Sequence, residues 1–262
     1  MNILKHELKQ NKTSFLIWTA AIGFFIVVCI FLYPEMKGEM DEASKLFSEM
    51  GAFSAAFGMD KISFGTIKGF YSVECGNILG IGGAFFAAIT GITALMKEEK
   101  ERTAEFMFTH PVSRKKVVTE KLISVLVLII AMNVIIFVMA ILSMIAIGEK
   151  VFWTEMLLYH FAQLMMQLEI AGICFGISAF ISRSSLGIGI GLTAGFYFLN
   201  ILANISDKAD FLRYITPYGY TNGSEIINDK ALDISCLVIG IVLMIVGIIA
   251  TYAKYTKKDL KA

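Results

Sequence analysis

The sequence predicts an all-α membrane protein with six transmembrane helices, both termini on the cytoplasmic side, and a cytoplasmic amphipathic helix between the second and third spans. Three observations carry this prediction. Of the 262 residues, 56% are hydrophobic and only 17% charged, with a mean hydropathy of +0.70. That is too little polar surface for a soluble domain of this length. Six apolar stretches reach the ~20 residues that a helix needs to cross the hydrocarbon core. Between two of those stretches, Lys97 to Lys121 concentrates twelve charged residues of both signs.

The predicted spans are Phe15–Tyr33, Phe70–Met96, Leu122–Ile147, Met156–Ile181, Ser185–Ile205 and Ile234–Ala253, forming one transmembrane domain over residues 1–262. Four contain no charge; the second holds Glu74 and the fourth Glu169. Their Leu/Ile/Phe/Met mixture lacks the period-two alternation of a membrane barrel. The first run is longer than a signal-peptide core and no A-x-A site follows it, so it is expected to remain as an anchor.

Basic residues set the orientation. With the N-terminus inside, the inner segments hold 15 Lys and Arg and the outer segments 8, although the outer ones are longer in total. Of the outer segments, residues 35–69 read as a charged turn, a surface helix around Asp41–Met50 and a return in which Phe53, Phe57, Phe64 and Phe70 bury at the interface. In the 206–233 segment, Pro217 and Gly219 break any helix among three tyrosines. Two readings stay open there, a partly re-entrant cap and an ordinary interfacial loop.

Small residues recur every four positions in three spans: Gly76, Gly80, Ala84, Ala88; Gly172, Gly176; and Gly187, Gly191, Gly195. Each row makes a groove for close helix approach, within the chain or between subunits. Glu169 lies near the middle of the fourth span, where a carboxylate is costly and marks a candidate polar site. On a helix it shares a face with Gly172 and Gly176, whereas His160, Gln163 and Gln167 line roughly the opposite one.

A search for enzyme chemistry finds little. The 262 residues contain no G-x-x-x-x-G-K-[ST] and no H-E-x-x-H. Glu98-Glu99 is similar to the double glutamate of prenyl-endopeptidase-like membrane proteases, but Thr103 stands where their arginine would be, and there are three histidines in all. The four cysteines fall in apolar runs without metal-ligand spacing, so no metal site is expected. A net charge of +1 argues against nucleic acid as a partner.

The charged loop divides in two. Glu98–Thr109, read as a helix, aligns Ala104, Met107 and Phe108 in an apolar stripe, pairs Glu98 with Arg102, and sets Glu101 against Glu105. Phe106 points away from the stripe. Pro111 ends this helix and Ser113 is placed to cap the next, which runs through Arg114, Lys115, Lys116 and Lys121, cations suited to anionic headgroups.

On Glu98, Thr103, Glu105, Phe106, Pro111, Val112, Ser113, Arg114 and Lys121, this loop resembles the one after the second span in ABC-2 type transporter permeases. Arg102 stands where those permeases commonly carry glycine. The six-span layout, an amphipathic N-terminal stretch with Leu4 and Leu8, and Pro217-Tyr218 extend the likeness.

The resemblance implies a permease subunit, an exporter of a bacterial plasma membrane. Glu98, Arg102, Thr103, Glu105, Phe106, Pro111, Ser113 and Arg114 would form a coupling helix and its flank against a separate nucleotide-binding ATPase subunit. ATP and magnesium would bind that partner, with no cofactor on this chain. A second permease subunit, identical or related, would complete the path among the membrane lipids. Glu169, Gln163 and Gln167 are the candidate intramembrane polar residues. Two other classes remain: an ion-gradient-driven secondary transporter, for which Glu169 speaks, and a membrane anchor or sensor subunit that recruits a cytoplasmic partner.

Overall fold

The computed structural model describes residues 3–59, 61–96, 113–181 and 186–255, and every regular element among them is helical. Helix α1 (Ile3–Glu49) and the short α2 (Ala52–Ala56) precede α3 (Ile67–Thr93), α4 (Arg114–Ala146), α5 (Trp153–Ser178) and α6 (Leu186–Ile205). Two 3₁₀ turns, Asp207–Tyr214 and Pro217–Tyr220, lead into α7 (Gly223–Asp229) and α8 (Ile234–Tyr255). Six of these helices, α1, α3, α4, α5, α6 and α8, are long and apolar enough to span a membrane. Each overlaps one of the six apolar stretches, with α1 extending well beyond its stretch at both ends and α4 at its start. Successive spans alternate in direction, so Ile3, Ala94, Ser113 and Tyr255 gather at one end of the bundle, the termini end, and α2, α7 and the 3₁₀ turns at the other.

Helix α1 corrects the expected charged turn and separate surface helix. Its 47 residues run unbroken through Pro34, a length of about 70 Å against a hydrocarbon core of about 30 Å. Proline removes one backbone hydrogen bond, but contacts on either side hold the helix in place. The Tyr33 hydroxyl donates to the Gly65 carbonyl at 2.8 Å, and Lys37 pairs with Glu149 at 3.0 Å. Of the four expected interfacial phenylalanines, Phe64 and Phe70 are buried in the core, Phe57 is half-buried, and Phe53 is exposed.

Helix α3 opens with Thr66, whose hydroxyl accepts the Gly69 N–H at 3.2 Å, and then widens into one π turn over Tyr71–Cys75. Such turns locally re-aim the side chains that follow. Helices α3 and α5 form the centre of the bundle, each with about two-thirds of its apolar window buried. The outer helices present large apolar side chains outward, among them Phe24, Val134, Leu142, Phe198 and Ile249. A soluble protein rarely exposes so large an apolar surface; in a bilayer the lipid solvates it.

Close approach at the centre depends on absent side chains. A Cβ on Gly83 would collide with Gln167, one on Gly91 would meet the Ala171 carbonyl, and one on Gly76 would strike the Tyr159 hydroxyl. On the far side of α5, a Cβ at Gly176 would fall 2.7 Å from Gly247 Cα, and Gly172 makes room for Met244 of α8. Two of the three small-residue rows are thus internal seams. The third differs: Gly187, Gly191 and Gly195 are exposed, and a Cβ on Gly191 or Gly195 would meet nothing within 4 Å.

Candidate functional site

At the termini end, α4 begins as its sequence predicts: the Ser113 hydroxyl accepts the Lys116 N–H at 3.3 Å. Arg114 donates to the Tyr255 carbonyl at 3.5 Å, and the Thr119 and Tyr252 hydroxyls lie 2.7 Å apart, joining α4 to α8. The Leu4 N–H donates to the Glu120 carboxylate at 2.9 Å, joining α4 to α1. Glu98, Arg102, Thr103, Glu105, Phe106 and Pro111 lie outside the described residues.

Lys121 departs from the expectation that it meets headgroups. Five residues past Lys116, the helix has turned about 140° further, which leaves Lys115 and Lys116 exposed and points Lys121 inward. Its ammonium, with none of the side chain exposed, donates to Glu7 Oε1 and to the Ala94 carbonyl, both at 2.7 Å. Glu7 shares a helical face with the buried Ile3, four residues before it. One cation therefore joins the N-terminal turns of α1, the chain just past α3 and the first turns of α4. The alternation of Ile3 and Glu7 with exposed lysines was the available signal, but nothing in the sequence names the partner.

The amide stripe and the acid of α5 do lie on opposite faces. Asn133 of α4 donates to Gln167 Oε1 at 2.7 Å, Gln167 donates to the Leu79 carbonyl at 3.4 Å, and Gln163 donates to the Tyr159 hydroxyl at 2.8 Å. Tyr71 and His160 meet at 2.7 Å. Gln163 and Gln167 thus face α3 and α4 inside the subunit.

Glu169 faces α8 instead. It is fully buried, and neither carboxylate oxygen has a hydrogen-bond partner among the described residues. The space it occupies exists because Gly240 lacks a side chain. Tyr220 approaches Glu169 from the turn after α6, which the sequence left open between cap and loop. The structure favours the cap: Tyr218 and Tyr220 are buried and Tyr214 is exposed. Thr216 ties the cap to α6 by donating to the Phe196 carbonyl at 2.9 Å. Arg213 grips the Gly219 carbonyl at 3.1 Å and pairs with Glu225. Burial weakens the Arg213 charge, but the Glu225 and Asp210 carboxylates together outweigh it and hold the guanidinium pKa above its usual value.

Six apolar spans, a polar seam inside a single subunit and a pinned termini end define a multi-pass helical membrane protein. The chain belongs to the ABC-2 family transporter proteins, whose family model matches residues 1–260. It is therefore a membrane-embedded permease component of an ATP-binding cassette transporter, a transport subunit rather than an enzyme, from a family that associates with an ATPase subunit and usually dimerises. No curated protein matches it.

Two predictions follow from these contacts. Lys121→Met strands the Glu7 carboxylate in a buried site and is expected to cost about 3–5 kcal/mol; removing Glu7 as well, in the pair Glu7→Leu and Lys121→Met, should recover much of the loss. Denaturation of the purified protein measures both, and a single variant as stable as the parent would show that the pair is dispensable. Gly240→Ala pushes a methyl group into the Glu169 carboxylate, with an expected cost of about 1–3 kcal/mol. Combining it with Glu169→Ala should relieve the strain, so that the two changes are non-additive in the same assay.

Proposed function

We propose that this chain is the permease subunit of an ATP-driven exporter in a bacterial plasma membrane, with both termini in the cytoplasm. A separate ATPase subunit docks on the coupling helix formed by Glu98, Arg102, Thr103, Glu105 and Phe106 and ended by Pro111, with Ser113 and Arg114 at its flank. ATP and magnesium bind that partner. Family membership supports this reading, as does the excess of basic residues at the termini end.

The observation that carries it is the Lys121 pin. A force applied to the segment between Ala94 and Ser113 reaches α1, α3 and α4 together, because Lys121 holds Ala94 and Glu7 at 2.7 Å each. ATP shifts the population of inward- and outward-open states by favouring the ATPase arrangement that fits one of them. In that change α5 is the helix that must slide. Gln163 and Gln167 guide it on one face and Glu169 on the other.

The transporter contains two permease subunits, and the open face of α6 supports their placement. Gly191 and Gly195 are left unfilled within the subunit and Gly187 is exposed beside them, whereas the other two rows are used internally. A second helix can pack there closely. An ion-gradient carrier is the alternative that Glu169, a buried acid, favours; transport that needs a proton gradient and no ATPase would establish it instead.

Glu105→Lys and Phe106→Asp are expected to leave six-span insertion intact while lowering ATP-dependent transport, by a factor within the 5–150-fold range of a typical coupling energy. Vesicle transport with the co-purified ATPase measures this, and parental activity in both variants would sink the docking assignment. Gly191→Leu is expected to split the dimer without lowering the chain's own thermal stability, whereas Gly176→Leu lowers that stability by wedging α5 from α8. Size-exclusion light scattering together with thermal unfolding separates the two effects.

A further inference from the structure

Between α3, α5, α6 and the tyrosine cap lies a partly open cavity with about 50 Å³ available to the centres of water-sized molecules. At roughly 10–15 Å³ per water on that measure, it admits three to five waters or a ligand group of that size. It lies beside the π turn of α3, whose Ser72 and Gly76 form part of the wall. The chemistry comes from Asn77, Gln163, Asn200 and Asn204 together with the Tyr159 and Tyr218 rings. None of its sixteen lining residues carries a formal charge.

Two lining groups lack partners. The Gln163 side-chain oxygen and the Tyr218 hydroxyl are buried without a hydrogen-bond partner among the described residues, on side chains that are 2% and 4% exposed. Native interiors rarely leave such groups unmatched. Gly80 keeps the space over Gln163 open, since a Cβ there would fall 3.2 Å from the Gln163 oxygen. Tyr197 and Tyr218 both line the cavity and meet edge to face, with ring centroids 5.5 Å apart, so part of its wall is aromatic.

The geometry assigns this cavity as a binding site for the hydroxyl-bearing edge, about three to five heavy atoms, of an uncharged polyol or sugar head on a membrane lipid. Amides offer both donors and acceptors, and a hydroxyl answers both. A charged ligand would be buried with no counter-charge, at high cost. The tyrosine wall suits the C–H face of such a head. The lipid source follows from depth: the cavity lies at the cap end of the spans, the level at which lipid headgroups meet the helices, and Asn77, Asn200 and Asn204 on its wall are half-exposed. The assignment does not depend on ATP-driven export, because binding is read on the permease alone.

The test uses the full chain in phosphatidylcholine nanodiscs and follows its thermal midpoint. Glucosyl diacylglycerol incorporated into the disc is expected to raise the midpoint saturably, and free methyl glucoside to do so only at far higher concentration. Equal potency of the free glucoside would identify a soluble polyol as the source and keep the assigned chemistry. Phosphatidylglycerol should act alike on parent and variants. Asn200→Leu, at the half-exposed mouth, and Gln163→Leu, at the floor, should each weaken the glucoside response about tenfold, the scale of one lost hydrogen bond. The assignment falls if neither glucoside shifts the midpoint, which would leave a water-filled void, or if both variants respond as the parent does.

Discussion

The termini end of this protein is assembled around one buried ammonium. Lys121 is fully enclosed, and its two charge-assisted bonds hold a carboxylate from α1 and a carbonyl just past α3. A buried charge is tolerable only when its partners are close and fixed, so the positions of Glu7 and Ala94 are not independent of α4. The requirement also explains why the first turns of α1 keep one face, that of Ile3 and Glu7, buried against the bundle while Lys5, His6 and Lys9 stay exposed. Leu4, bonded to Glu120, and Ile3, packed into the core, are carried along with Glu7.

The centre of the bundle obeys a different constraint. Between helices in lipid there is little hydrophobic drive to association, so contact area has to come from close backbone approach. Helix α5 secures that on both faces, against glycines of α3 and against Gly247 of α8, and it places its polar side chains where the missing Cβ atoms leave room. Gln167 fits over Gly83, Gln163 over Gly80 and Glu169 over Gly240. Glycine spacing and polar placement in α5 are thus two sides of one packing solution, and a change to either is felt by the other.

Much of this was legible in the sequence because lipid simplifies the rules. Backbone groups must be satisfied within each segment, so the length and purity of the apolar runs gave six helices, and helical periodicity correctly separated Glu169 from the Gln163–Gln167 stripe. The Ser113 cap was readable from a local rule. What failed was long-range. Nothing near Lys121 signals Glu7, 114 residues away, and a lysine beside three other cations reads as surface. Pro34 and its charged neighbours read as a turn because the contacts that carry α1 through them, Tyr33 to Gly65 and Lys37 to Glu149, come from other elements. The surroundings of Glu169 were hidden for the same reason, since Gly240 and Tyr220 become its neighbours only when α8 and the cap fold against α5.

The two constraints together suggest how the molecule divides mechanically. Lys121 binds α1, α3 and α4 through short ionic and hydrogen bonds that resist separation. The α5–α8 seam rests mostly on glycine backbone contacts, crossed by a bond from the Thr251 hydroxyl to the Phe175 carbonyl at 3.2 Å, so small shear there strains fewer directional bonds than at the pin. Helix α6 is held less tightly than either: only Gly189, Thr193 and Ala203 of its residues are buried, and Thr216 of the cap fastens it by a bond to the Phe196 carbonyl. A displacement entering at the termini end would therefore pass through the pinned trio as a block, be taken up as sliding along α5, and reach α6 through the cap. The tyrosine cap contacts both the Glu169 seam, through Tyr220, and the uncharged cavity, through Tyr218. That position makes it the place where motion of the spans would change what the cavity can hold.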